Sequence, residues 1–177
     1  MARIVIALGG NALQSKNSAP TAEGQLSVVK ETCEFIADIV QAGHEIAVVH
    51  GNGPQVGRIV LASETANEVT PAMPFDVCGA MSQGYIGYHI QQALRYSLGK
   101  RGINYPVLTI ATQVVVDKND PGFQNPTKPI GPFYTKEEAD ELVAERGYIV
   151  KEDAGRGYRR VVASPIPQKI VEINAIR

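Results

Sequence analysis

His50-Gly-Asn-Gly-Pro-Gln-Val-Gly57 follows the apolar run Glu45-Ile-Ala-Val-Val49 and precedes Arg58-Ile-Val-Leu61, so a glycine-rich loop stands where a buried strand hands over to a helix. Gly51 and Gly53 can take positive φ and let backbone N–H groups approach a ligand closely. A helix beginning near Pro54 points the positive end of its dipole at the same place, which makes the loop a candidate anion site. The construction recurs upstream, where Arg3-Ile-Val-Ile-Ala-Leu8 is a second short apolar run and ends in Gly9-Gly10-Asn11-Ala12. In an open α/β sheet, turns at the carboxyl ends of the strands fall in the crevice where ligands bind. The pattern predicts a small phosphorylated or carboxylate compound held between the turns at 9–11 and 51–53.

Between the two turns, Thr21 is the expected N-cap of a helix running to about residue 42. Leu26, Val29, Cys33, Ile36 and Val40 recur at helical spacing, and Gly43 is the stop. This helix returns the chain to the strand at 45–49 and completes a βαβ unit of right-handed crossover. Helices over about 54–67 and 75–98 follow. The second carries Gly79, Gly84 and Gly87 in its interior, each costing about 1 kcal/mol relative to alanine. Close packing is the simplest reason for them, and a subunit contact or a ligand near Ser82 and Gln83 is the other. The β-branched run at 107–116 reads as a strand.

Residues 117–134 hold Pro121, Pro126, Pro129 and Pro132 with Gly122 and Gly131, a composition that predicts no regular element and a long excursion or small subdomain. Within it, 127–132 presents a single lysine, Lys128, on a proline-framed loop. Thr135 and Glu138 have capping-box spacing, and strand-like runs at 148–151 and 158–163 are joined by a tight turn at 153–157. Ile170, Ile173 and Ile176 give 168–177 the pattern of an amphipathic helix. A further strand is expected after such a helix, so the chain reads as cut short at its C-terminus.

The 177 residues are 44% hydrophobic and 20% charged, the composition of an ordinary globular domain. With 17 basic against 18 acidic residues there is no basic stripe, which excludes a dedicated nucleic-acid or membrane-surface binder. No apolar run approaches the ~18 residues of a spanning helix and no signal peptide is recognisable, so a cytoplasmic location is expected. Cys33 and Cys78 read as buried thiols. Gly99-Lys100 is followed by Arg101 and not by Ser or Thr, and Gly51-Asn-Gly53 lacks the third glycine of a dinucleotide fingerprint. No His-Glu-x-x-His, Cys-x-x-Cys or Gly-x-Ser-x-Gly occurs, and no metal-ligating set is identified. His50 is most simply a structural histidine.

Five segments in register carry a resemblance: Ala7-Leu-Gly-Gly-Asn-Ala12, His50-Gly-Asn-Gly-Pro-Gln-Val-Gly57, Cys78-Gly-Ala-Met-Ser-Gln-Gly-Tyr-Ile-Gly-Tyr88, Asn125-Pro-Thr-Lys-Pro-Ile-Gly-Pro132 and Glu152-Asp-Ala-Gly-Arg-Gly157. Together they closely resemble the carbamate kinases of the amino acid kinase family, over the N-terminal half to two-thirds of such an enzyme. The resemblance implies a three-layer α/β/α sandwich on a mostly parallel open sheet, truncated at the C-terminus. It also implies one domain part, 1–177, with a small protruding subdomain at about 117–163. In function it implies a homodimer and reversible phosphoryl transfer, ATP and carbamate to ADP and carbamoyl phosphate, in fermentative arginine catabolism, with magnesium accompanying the nucleotide. Family members are nearly twice this long and draw their nucleotide pocket from the C-terminal half, so this chain is expected to carry the carbamate and phosphate side of the site. Two alternatives stand beside this reading. One is a non-catalytic anion-binding half-domain that needs a separate C-terminal chain; the other is a related amino acid kinase acting on another carboxylate.

Phosphoryl transfer asks a protein to hold the reactants in line and to neutralise charge on the transferring oxygens. The expected donors are backbone N–H groups of Gly9, Gly10, Asn11, Gly51, Asn52 and Gly53, with the side-chain amides of Asn11 and Asn52. Lys128 is the expected cation, its loop mount letting it close after binding. Lys128 and Asn11 are the candidate catalytic residues. Carbamate is already an anion and attacks through oxygen, so no general base is needed, and Asp117, Asp120 and Asp153 read as turn residues. Arg156, Arg159 and Arg160 are further candidates for anion capture. Arg159 and Arg160 are neighbours on a strand and point to opposite faces, so at most one of them faces the site.

Overall fold

In the computed structural model, which describes residues 1–14, 19 and 21–177, β1 (Arg3–Leu8) and β2 (Glu45–His50) pair in parallel, Arg3 opposite Glu45 and Leu8 opposite His50. A parallel pair needs a crossover, and α2 (Ala22–Gln41) supplies it after the short α1 (Gly10–Leu13). The expected caps are present: Thr21 Oγ1 accepts from Gly24 N–H at 3.1 Å, and Gly43 follows the helix at φ +85°. Residues 1–52 and 81–110 form one of two units, and residues 53–80 and 111–177 form the other.

The core of the first unit joins Leu8, Leu13, Val29, Cys33 and Ile36 to Ile86, Ile90, Ala93, Leu94 and Leu98 of α4 (Phe75–Lys100). Each fully buried leucine or isoleucine of this set stabilises the fold by roughly 1.5–3 kcal/mol. Ile6, Ile46 and Val48 pack on the same core, whereas Val5 and Val49, on the other face of the parallel pair, are 70% and 50% exposed. Cys33 and Cys78 are buried free thiols, as expected, and burial pushes the Cys33 thiol up to about 12. Of the four α4 glycines, Gly87 alone answers to packing: a Cβ there would collide with the Thr109 side chain, while one at Gly79, Gly84 or Gly99 would meet nothing within 4 Å among the described residues.

The strand expected at 107–116 shrinks to β3 (Val114–Val116). Residues 107–112 belong to no ladder among the described residues. Thr109 Oγ1 donates to Gln91 Oε1 at 2.9 Å and Gln91 Nε2 to the Val107 carbonyl at 3.0 Å, so side chains of α4 hold this segment. β-branched composition favours extended backbone, but only a neighbouring strand makes it a ladder.

In the second unit, α3 (Gly53–Thr65) packs on β4 (Lys128–Tyr134), which with β6 (Tyr158–Val162) and β5 (Val150–Glu152) forms an antiparallel sheet in the order β4-β6-β5. The expectation that 117–134 holds no regular element is wrong. Pro129 and Pro132 sit within β4 because it is an edge strand, where a missing N–H breaks no inner ladder. The register shifts between Ile130 and Tyr134, around Gly131 at φ +72°. A one-turn 3-10 helix, Pro121–Phe123, precedes β4. α5 (Lys136–Arg146) has the full Thr135/Glu138 capping box and ends on left-handed Gly147, and the 153–157 turn closes with Asp153 N–H donating to Gly157 O at 2.9 Å.

The helix expected over 168–177 is instead β7 (Pro167–Ile170) followed by the single turn α6 (Ile173–Ile176). β7 pairs antiparallel with β3, Val114 opposite Ile170, and Glu172 accepts from both the backbone N–H and the Nε2 of Gln113 at 2.8 and 2.9 Å. Three isoleucines at threefold spacing satisfy a helical pattern, but so short a run is also a strand once a partner lies beside it.

Candidate functional site

The register of β1 and β2 brings their two turns side by side. Leu8 lies opposite His50, and Gly51 N–H donates to the Leu8 carbonyl at 3.2 Å, so the turn after β2 starts against the end of β1. Gly9 is extended at φ −80°, ψ 178°, and Gly10 and Asn11 begin α1. Positive φ was expected of Gly51 and Gly53, yet neither adopts it. A Cβ built at Gly9, Gly10 or Gly51 meets nothing within 4 Å among the described residues. Neither backbone conformation nor crowding inside the fold therefore requires glycine at these three positions. What glycine leaves there is open space beside the backbone; the Gly51 N–H itself, expected to face a ligand, is instead taken by the Leu8 carbonyl.

Asn52 is half-buried, and its Nδ2 donates to Ser82 Oγ at 2.8 Å; Ser82, on α4, is fully buried. Asn11 belongs to α1, and its side chain lies outside the described residues. His50 Nδ1 lies 3.0 Å from the Gly51 carbonyl, a contact with its own loop that suits a structural role.

In the second unit Gly53 is the first residue of α3, and a Cβ there would make ordinary contact with the Pro129 carbonyl at 3.5 Å. One turn further, a Cβ at Gly57 would collide with the backbone of Gly131, so glycine is obligatory where α3 and β4 touch. Val56, Val60, Cys78 and Ile130 close the contact. Lys128 opens β4. It is exposed, and its ammonium has no hydrogen-bond or ion-pair partner among the described residues. Its mount is thus a strand packed on α3, not the loop that the prolines suggested.

The arginines are engaged elsewhere. Asp153 accepts from Arg156 at 2.8 Å and from Arg159 at 3.3 Å, and the Arg156 guanidinium foremost holds its carboxyl below the usual range. Arg159 also donates to the Gly131 carbonyl at 2.9 Å. Arg160 pairs with Glu64 at 3.0 Å and stacks 3.8 Å from the ring centroid of Tyr148, whose hydroxyl donates to Glu64. Asp117 and Asp120 are turn residues as expected: Asp117 accepts from Asn119 N–H at 2.9 Å, and Asp120 from Gly122 N–H at 2.7 Å and Ile166 N–H at 3.0 Å. No group of three or more His, Cys, Asp or Glu side chains among the described residues is disposed to hold a metal ion.

Gly9, Gly10, Asn11, Gly51 and Asn52 thus gather in the first unit, while Gly53 and Lys128 lie near one another in the second. Sequence reasoning named Ser82 only as near a possible ligand and missed its pairing with Asn52, although a hydroxyl on the buried stripe of Cys78, Ile86 and Ile90 signals a partner; nothing in the sequence marks Glu64.

Residues 2–150 match the amino acid kinase family. The carbamate kinase of Clostridium perfringens (strain 13 / Type A) is 60% identical over 178 residues, covering 99% of this chain and 57% of that protein. Among solved structures, carbamate kinase from Giardia lamblia bound to citric acid superposes with a TM-score of 0.93 at 45% identity, over 99% of this chain and 56% of that one. Carbamate kinase from Giardia lamblia bound to AMP-PNP gives 0.82 at 44% identity, over 99% and 55%. The chain spans just over half the length of the relatives it matches.

Proposed function

The chain belongs to the amino acid kinase family and has its α/β fold, and from that premise we propose that it carries the carbamate and phosphoryl side of a carbamate kinase site. The reaction is ATP and carbamate to ADP and carbamoyl phosphate, reversibly. The observation that carries this reading is the bareness of the paired turns among the described residues: Gly9, Gly10 and Gly51 have ordinary φ or a helical place, and no described atom occupies the space where a side chain would sit. Such turns suit an anion that accepts hydrogen bonds directly from the backbone.

A carbamate oxygen attacks the terminal phosphorus of ATP; a new P–O bond forms as the bond to ADP breaks, and no proton need move. Backbone N–H groups of the two turns, other than that of Gly51, which Leu8 holds, and the Asn52 amide donate to the oxygens that gain charge, with Asn11 beside them. Lys128 supplies positive charge to the transferring group. AMP-PNP bound in one structure of the Giardia lamblia carbamate kinase supports a nucleotide co-substrate, and citric acid bound in another structure of it is consistent with a site for carboxylates. Magnesium is proposed to arrive on the nucleotide phosphates; the described residues offer it no ligand set, so no step here depends on it. We further propose the small subdomain at 117–163, a homodimer, a cytoplasmic location and a role in arginine catabolism. No helix among the described residues is long and apolar enough to cross a membrane.

The test is calorimetric titration of the chain with carbamoyl phosphate, beside an assay of ATP formation from carbamoyl phosphate and ADP. The assay is run on the chain alone and with the remaining part of a relative supplied in trans. Binding by the chain alone, and transfer on adding the remainder, are expected. Absence of carbamoyl phosphate binding would overturn the reading.

A further inference from the structure

Resting on that reading of the turn at 51–52, we propose that Ser82 is a positioning residue that aims the Asn52 amide at the anion. Ser82 is 0% exposed in the middle of α4, on the stripe that otherwise carries Cys78, Ile86, Ile90 and Ala93. A hydroxyl there adds nothing to apolar packing and has to be hydrogen-bonded to be tolerated. Its oxygen accepts from Asn52 Nδ2 at 2.8 Å, across 30 residues of chain.

A side-chain amide has two N–H donors and one carbonyl acceptor. On a half-buried turn it would otherwise sample several orientations, including those that turn its carbonyl oxygen toward an anion. With one N–H held by Ser82, the torsions of Asn52 are set before any ligand arrives, and the second N–H has a defined direction. A donor oriented in advance costs the ligand no ordering on binding, which is how a helix buried in the core acts on a turn at the strand ends.

The test is titration of the 177-residue chain with carbamoyl phosphate and, separately, with inorganic phosphate. Wild type is compared with Ser82→Ala, Asn52→Ala and the double variant, each with a thermal melt. Ser82→Ala is expected to weaken binding about tenfold, the scale of one well-aligned hydrogen bond. The double variant should bind no more weakly than Asn52→Ala, because Ser82 has nothing left to aim. In the ¹⁵N–¹H spectrum, the two Asn52 side-chain proton resonances should move toward the separation of a free amide in Ser82→Ala. Ser82→Cys, which keeps the space filled with a weaker acceptor, should bind with intermediate affinity and guards against a folding defect in the alanine variant. Binding by Ser82→Ala within twofold of wild type, or fully additive losses in the double variant, would overturn the role of Ser82 and leave the anion site standing. Wild type that binds neither compound would instead remove the anion site, and this role with it.

Discussion

Two kinds of glycine separate at the level of single residues. A Cβ at Gly51 meets no described atom within 4 Å at an ordinary φ, so Gly51→Ala should leave stability unchanged or raise it by about 0.4–1 kcal/mol through the unfolded chain. The same substitution should weaken carbamoyl phosphate binding, because the methyl group enters the space the anion needs. Gly57→Ala should behave oppositely, costing about 1–3 kcal/mol as Gly131 is forced away. Paired urea melts and titrations check both. Lys128→Ala removes an exposed cation with no partner among the described residues, so its melting temperature should hold while ATP formation, assayed with the remainder of a relative in trans, falls by about 10²-fold. A rate within threefold of wild type would remove Lys128 from the site. His89 is buried beside the Tyr85 ring, 5.1 Å away between centroids, with neither ring nitrogen partnered among the described residues. Burial lowers its pKa from 6.5, so the unfolded chain takes up the proton first. The stability it contributes is present above pH 6.5 and is lost as the pH falls from there toward its folded value. Glu34 is held at about 2, foremost by Arg101, so its contribution is lost only between pH 4.5 and 2. His89→Gln should therefore flatten the dependence of the melting temperature between pH 7 and 5.5 and leave the acid limb in place.

Among the elements, local chemistry was legible and pairing was not. The Thr21 cap, the Gly43 stop, the Thr135/Glu138 capping box and the 153–157 turn were readable because each signal lies within a few residues of what it specifies. β4 was missed because prolines argue against a strand unless its place at a sheet edge is known, and β7 because isoleucine spacing cannot choose between helix and strand without the partner β3. The ends of α3 show the same division. Its start at the glycine loop was readable, whereas its far end is held by Glu64 against Arg160 and Tyr148, 96 and 84 residues away. Glu64→Ala strips a buried phenol and a half-buried guanidinium of their acceptor, and should cost about 1–3 kcal/mol in a urea melt. A loss under 0.3 kcal/mol would show the cluster to be incidental.

For the whole molecule, the proposed dimer has a testable surface. Met81, Tyr88 and Tyr96 of α4 are exposed around Gly84, where a Cβ would meet nothing within 4 Å among the described residues. Sedimentation velocity should show a dimer that Tyr88→Glu dissociates, and a wild-type monomer at all concentrations would discard the assembly. The sequence by itself determined the βαβ unit, the paired glycine turns and the family, because cap, turn and strand signals are local and the motifs stand in a fixed order along the chain. Tertiary structure alone decided which glycines are bare and which are crowded, that Lys128 rides on an edge strand, and that Ser82 holds Asn52. Each of these depends on which atoms distant parts of the chain bring within a few ångströms, and no local pattern of residue types encodes such a distance.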